Sequence, residues 1–250
     1  MATKVSHIAA YLDDLLQAHA FREEEPENGL IVNGSQPVAR LGAAVNTSFF
    51  SIRRAVEEAV NLLLVHHASW PYIDLHLKER KEEMLRAAGI SLYSAHASLD
   101  CAPEVGTADS LARLLGVRVE GRFAKYGAGL AGVYGHAEGT FSDFVQLVQQ
   151  ALNVPVESWG NSDRFGRVGL VPGAGGLTNM LDEARVLGCD TYLTGEGNMY
   201  TKLFAREVGM NLIFGTHFAT EAPGVRVLAA RVSEKFGLTW EFIPDQIDIL

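Results

Sequence analysis

A chain of 250 residues holds one large domain or two small ones, and 48% hydrophobic residues are enough to bury a substantial core. Its net charge of −9 argues against a non-specific nucleic-acid binder or a ligand of anionic membranes, since both need a basic surface. Two cysteines, Cys101 and Cys189, exclude a disulfide framework and any Cys-rich zinc motif.

The opening residues, MATKVSHIAAYLDDLL, lack the basic start and long apolar stretch of a signal peptide. No apolar run approaches the roughly 20 residues that span a bilayer, and the two cysteines make a reducing cytoplasm the expected location. Helical spacing places Val5, Ile8, Ala9, Leu12, Leu15 and Leu16 on one face, with Ser6 as the cap. Residues Phe21 to Asn28 are acidic and contain a proline, the composition of a solvated loop. Asn28-Gly29 then turns the chain into a strand from Leu30 to Val32.

At Arg40 a unit begins that recurs later. RLGAAVNTS, Arg40 to Ser48, is echoed by RVGLVPGAGG, Arg167 to Gly176. Helices are expected at Ile52 to Val60 and at Leu177 to Leu187, and strands at Leu62 to Val65 and at Thr191 to Thr194. Further helices follow at Lys78 to Ala88 and at Tyr200 to Val208, and then two related apolar strands. Gly89, Gly188 and Gly209 sit where helices are capped at their C-termini. Strand–helix–strand–helix–strand, twice, predicts an α/β protein of two similar, interlinked units with mainly parallel sheets and right-handed crossovers. The boundary is placed between residues 120 and 121, with a metal site between the units. In the connecting stretch, Tyr126 to His136 is expected as an edge strand, and Thr140 as the cap of a helix burying Phe141, Phe144, Val145 and Val148. Val225 to Phe236 reads as a helix with Pro223 in its first turn, and Leu238 to Ile243 as a strand.

Ligands in open α/β sheets bind beyond the C-terminal ends of the strands, where the candidate residues gather. His66-His67 ends an aliphatic strand; the pair is either a set of metal ligands or two half-buried histidines. AAGISLYSAHASLD carries His96 and Asp100, and EVGMNLIFGTHFATE carries His217 and Glu221, each a histidine followed four residues on by a carboxylate. Imidazole nitrogens with carboxylate oxygens suit a borderline divalent metal. Asp100 can equally cap a turn, and Glu221 can sit at a helix start where the macrodipole favours it. His96 is assigned to orienting a ligand, and Glu196 to supporting one or meeting substrate. The GAGG turn, Gly173 to Gly176, matches neither the Walker nor the dinucleotide pattern; it reads first as a tight turn and second as an anion site. His7, His19, His76 and His136 are assigned to surface or packing. No G-x-S-x-G elbow is present, and neither cysteine has a nucleophile's context.

Together these segments resemble the NIF3 family, also called the YbgI or DUF34 family. Asn28-Gly29-Leu30 resembles its NGL signature, His66-His67 its double histidine, His96 to Asp100 its HxxLD-type motif, Thr194 to Glu196 its TGE motif, and Thr216 to Glu221 its GHxATE motif. Thr216 stands where the family has glycine. The resemblance covers nearly the whole chain and implies a NIF3-like fold in the short form without an inserted domain. It further implies two divalent metal ions per subunit (Zn, Fe, Mn, Co or Ni) held by His66, His67, Asp100, His217 and a bridging, catalytic Glu221. A toroidal homohexamer follows from the same resemblance. So does a hydrolase acting on a nucleotide or phosphate-containing small molecule, of the type the family name GTP cyclohydrolase 1 type 2 homolog describes. The alternative is a non-catalytic hexameric scaffold that binds or delivers metal.

Overall fold

The computed structural model describes residues 2–34, 37–70, 74 and 76–245. It divides into two compact units, Met1–Ala102 with Val225–Leu250, and Pro103–Gly224. A cut between 120 and 121 would fall inside a continuous strand, Arg118–Tyr126. The C-terminal segment also returns to the first unit, which a single cut cannot express.

The first unit contains α1 (Val5–Leu16), β1 (Gly29–Val32), β2 (Arg40–Asn46), α2 (Phe49–Glu57), β3 (Leu62–His67), α3 (Lys78–Ala87), β4 (Ser91–Ser94) and the single turn α4 (Ala97–Asp100). The second contains α5 (Thr107–Leu114), β5 (Arg118–Tyr126), β6 (Gly129–His136), α6 (Phe141–Leu152), β7 (Glu157–Trp159), β8 (Arg167–Val171), α7 (Thr178–Val186), β9 (Thr191–Thr194), α8 (Met199–Glu207) and β10 (Asn211–Phe214). Helix α9 (His217–Phe236) begins in the second unit, and β11 (Thr239–Phe242) closes the first.

Each unit carries one sheet. In the first the order is β1-β4-β3-β2-β11, with β4, β3, β2 and β11 parallel and β1 antiparallel at the edge. In the second it is β5-β6-β8-β9-β10-β7, with a parallel centre of β8, β9 and β10 and antiparallel strands on both flanks. The repeated strand–helix–strand–helix–strand is therefore β2 to β4 in one unit and β8 to β10 in the other. The duplication reaches further than the sequence pattern indicated. A helix and an antiparallel strand precede each copy, and that strand pairs beside the third parallel strand: β1 on β4, β7 on β10.

The central strands are buried along their length, as parallel strands covered on both faces must be. Alternation along the second sheet splits its core into two layers. Leu193 and Ile213 pack with Phe144 and Val148 of α6 and Leu111 of α5 on one face. Tyr192 and Leu212 pack with Leu181 of α7 and Ala205 of α8 on the other. In the first unit Ile52 of α2 and Leu85 of α3 close over Leu63, Val65 and Leu92.

Several expectations need correction. Helix α1 starts after Lys4 without a side-chain cap, so Ser6 does not cap it. Tyr126 to His136 is not one edge strand: β5 and β6 form a hairpin, β6 lies inside the sheet, and β5 is the edge. Pro223 is not in the first turn of a late helix, because α9 starts at His217 and Pro223 lies inside it. The Thr140 cap is present as a reciprocal pair with Asp143. Gly89, Gly188 and Gly209 have φ of 69°, 84° and 66°, the left-handed values their capping role requires. Among the described residues no helix is long and apolar enough to cross a membrane.

Candidate functional site

In the first unit the side chains cluster at the C-terminal edge of the parallel strands. His66 and His67 both belong to β3 and are buried. Neighbours on a flat strand turn to opposite faces. At this strand end their rings instead come to 4.5 Å between centroids. His96, leading into α4, brings a third ring 4.9 Å from His66 and 5.1 Å from His67. One nitrogen from each of the three rings lies within 4.8 Å of the others. Asp100, at the end of α4, has a carboxylate oxygen 3.5 Å from His66 Nε2.

Every ring in this cluster is tied by its Nδ1. The Nδ1 of His66 lies 2.7 Å from the Ala95 carbonyl, an acceptor only, so that nitrogen carries a proton, and in the neutral ring that metal binding needs the lone pair is on Nε2. His67 Nδ1 is 2.8 Å from Asn46 Oδ1, and His96 Nδ1 is 2.9 Å from Glu25 Oε2. Acceptors behind the Nδ1 atoms are what metal-ligating histidines generally use to set tautomer and orientation. This donor set fits a divalent metal of the zinc or iron kind, by the type of its atoms and by the direction they face.

The segment that holds His96 is itself pinned from the N-terminal loop. Asn28 Oδ1 accepts from the His96 backbone N–H at 3.0 Å and from Ser98 Oγ at 2.9 Å, and its amide nitrogen donates to Glu25 at 3.0 Å. Glu25 is thus not a solvated loop residue: it receives His96 and Asn28 together. Composition alone made Phe21 to Asn28 look like open loop; the partners that order it lie about seventy residues away.

In the second unit the matching edge holds His217, Glu221 and Glu196. The i, i+4 spacing of His217 and Glu221 does place them on one face of α9, with His217 Nε2 3.0 Å from Glu221 Oε1. The helix starts here because Thr216 reverses the chain at φ 64°, and its hydroxyl accepts from the Ala219 N–H at 3.2 Å. A β-branched residue in the left-handed region is strained by about 1–2 kcal/mol, which the cap partly offsets. Glu196 follows β9 and reaches His217 Nδ1 at 3.1 Å. The GAGG turn is a packing device. A Cβ on Gly173, whose φ is 63°, would stand 2.1 Å from Glu221 Oε1 and 3.1 Å from His217 Nε2. A Cβ on Gly195 would stand 2.6 Å from the Gly173 carbonyl and 2.7 Å from His217 Cα. Thr220 Oγ1 joins these turns, accepting from the Gly173 N–H at 3.0 Å.

Burial opposes a charge on His217, but the Glu221 hydrogen bond and charge, helped by Glu196, outweigh it and raise its pKa from 6.5 to about 9. A metal at this ring would have to displace that proton, since ligation needs a neutral imidazole. Cys189 is buried in apolar surroundings that push its thiol up to about 12, which excludes it as a nucleophile. His7, His19 and His76 are exposed and His136 is half-buried, in line with surface or packing roles.

The fold and these edges define a duplicated α/β protein with three clustered imidazoles in the first unit and a histidine between two carboxylates in the second. The family model for Duf34/NIF3 (NGG1p interacting factor 3) matches residues 3–248, and the chain belongs to that family. It is 34% identical to the GTP cyclohydrolase 1 type 2 homolog of Deinococcus radiodurans over 86% of this chain and 84% of that one. It is 33% identical to the protein of the same name from Allochromatium vinosum over 96% of each. Among solved structures, the protein ybgI, described as of unknown function, superposes with a TM-score of 0.85 at 27% identity, covering 98% of both chains. The protein TTHA1606 from Thermus thermophilus does so with 0.81 at 30% identity, covering 97% of both.

Two outcomes follow from this geometry. Gly173→Ala forces a methyl group into the Glu221 carboxylate on a left-handed backbone, and should destabilise the protein by about 2 kcal/mol or more in denaturant unfolding; a change under about 0.5 kcal/mol contradicts the close approach. In metal-free protein His217 should titrate near pH 9 by NMR, and lower in Glu196→Gln. Because its folded pKa is raised, its stabilisation is complete below about pH 6.5 and is lost as pH rises through about 9. A midpoint near 6.5 would show that the two carboxylates do not hold the proton.

Proposed function

We propose that this protein is a dinuclear metal-dependent hydrolase acting on a nucleotide or another phosphate-containing small molecule. The residues that would hold divalent ions are His66, His67 and Asp100 of the first unit and His217 and Glu221 of the second. The observation that carries this is the common orientation of His66 and His67: each Nδ1 meets an acceptor, which leaves the Nε2 of the neutral ring to ligate. The bound metals would supply Lewis acidity and lower the pKa of a water.

The chain's own residues do the positioning. Ala95, Asn46 and Glu25 orient the three imidazoles, and Glu196 does the same for His217. Glu221, only 4% exposed, is placed against His217 by the glycine at 173 and serves as the proton acceptor of the reaction. His96 and Glu196 support the ligands or meet the substrate. Relatives named GTP cyclohydrolase 1 type 2 homolog make GTP the first substrate to try, with simpler phosphate esters next.

The working form is proposed to be a toroidal hexamer in the cytoplasm. Apolar side chains left exposed on the second unit, Leu177, Val186, Met199 and Tyr200 at 51–71% of their area, suit burial between subunits. A chain with only two cysteines suits a reducing compartment.

The test is a turnover screen of metal-reconstituted protein against nucleotides, GTP included, and phosphate esters. Glu221→Gln should lower any turnover found by about 100-fold or more, and chelation should abolish it. Turnover that survives both treatments contradicts the metal mechanism. Full metal loading with no turnover of any substrate points instead to a metal-binding scaffold.

A further inference from the structure

We propose that Asp245 and Trp70, acting through Asn46, fix the tautomer of His67, which makes the C-terminal Asp245 a positioning residue for that ring. All four residues belong to the first unit. Asn46 ends β2 beside His67, its partner in the parallel register. Its Oδ1 lies 2.8 Å from His67 Nδ1 and 2.8 Å from Trp70 Nε1, and its Nδ2 donates to the carboxylate of Asp245, which is buried.

The chemistry at the two ends leaves one arrangement. An indole N–H only donates, so the Asn46 atom facing Trp70 is the oxygen. The other amide atom, the NH₂ group, then faces and donates to the Asp245 carboxyl oxygen. Turning the amide over would set donor against donor at Trp70 and acceptor against acceptor at Asp245. With the oxygen fixed, His67 Nδ1 has to be the donor, and its lone pair is on Nε2. Trp70 adds a second restraint, its ring lying 4.3 Å from that of His67 and closing one side of it. His66 achieves the same result with a backbone carbonyl, which cannot turn over. An amide side chain can, and the two flanking groups supply what the backbone supplies elsewhere.

The consequence for metal binding rests on the function proposed above; the tautomer itself does not. The experiment records ring-nitrogen chemical shifts of histidine in the metal-free protein, and Zn²⁺ affinity alongside. In the wild type His67 should show a protonated Nδ1 and an unprotonated Nε2. Trp70→Phe with Asp245→Ala frees the amide and should give a mixture of tautomers and about 10- to 100-fold weaker Zn²⁺ binding. Asp245→Asn keeps an acceptor and should stay within a few-fold of the wild type. Asn46→Asp alone sets two carboxylates face to face and should weaken binding. Adding Asp245→Asn to it restores a donor opposite the new acceptor and should recover both signals, which also shows that the variants fold. An unchanged His67 tautomer in Trp70→Phe/Asp245→Ala overturns the proposal. If the wild type binds no Zn²⁺, the proposed function fails, and the ring-nitrogen shifts alone still decide the role of Asp245.

Discussion

Imidazoles buried or half-buried at the strand ends must have their N–H groups satisfied, and that requirement organises much of this protein. An unpaired N–H there would cost about 1–3 kcal/mol. The acceptors are the Ala95 carbonyl beyond β4, Asn46 at the end of β2, Glu25 in the N-terminal loop and Glu196 after β9. Each comes from a different element from the ring it serves. Folding of the strands, loops and helix starts is thereby coupled to the direction in which each histidine points. The N-terminal loop is ordered for this reason, although its acidic, proline-containing composition would otherwise leave it in solvent.

In the second unit a steric constraint plays the corresponding part. Backbone turns at Gly173 and Gly195 press against the first turn of α9, leaving no room for a Cβ at either position. Thr220 is hydrogen-bonded into the same turn and is fully buried. The carboxylate of Glu221 and the ring of His217 are therefore held in place from behind by backbone. Thr216 accepts a left-handed conformation to let α9 start there, and its hydroxyl caps the helix it initiates. A strained residue next to a functional helix start is a common arrangement, because the surrounding packing over-determines it.

Much of this was legible in the sequence, for identifiable reasons. The two parallel repeats announced themselves through aliphatic strands buried on both faces and through glycines closing the helices between them. Strand β5 was not legible: its outer half is exposed, and a register shift between Val119 and Gly121 breaks the alternation that marks a strand. β7 has three residues, too few for any period to show. The start of α9 was hidden by Pro223. A proline inside a helix gives up one backbone bond, and Gly224 beside it admits Thr107 of α5 to a distance no Cβ would tolerate. The candidate ligands stood out because histidine and carboxylate recur at matched strand ends. Their supporting residues did not. Glu25, Asn46 and Asp245 acquire their roles only from partners distant in sequence, and Asn28 was visible as a turn and as part of a signature, not as the residue that pins His96.

The central claim is that the oriented histidines and the carboxylates serve metal. Elemental analysis of protein prepared without chelator, alongside a His66→Ala/Glu221→Ala variant, tests it most directly. About two metal equivalents per chain, lost in a variant that remains folded, is the predicted result. No tightly bound metal in the parent, or the same content in both proteins, would contradict it.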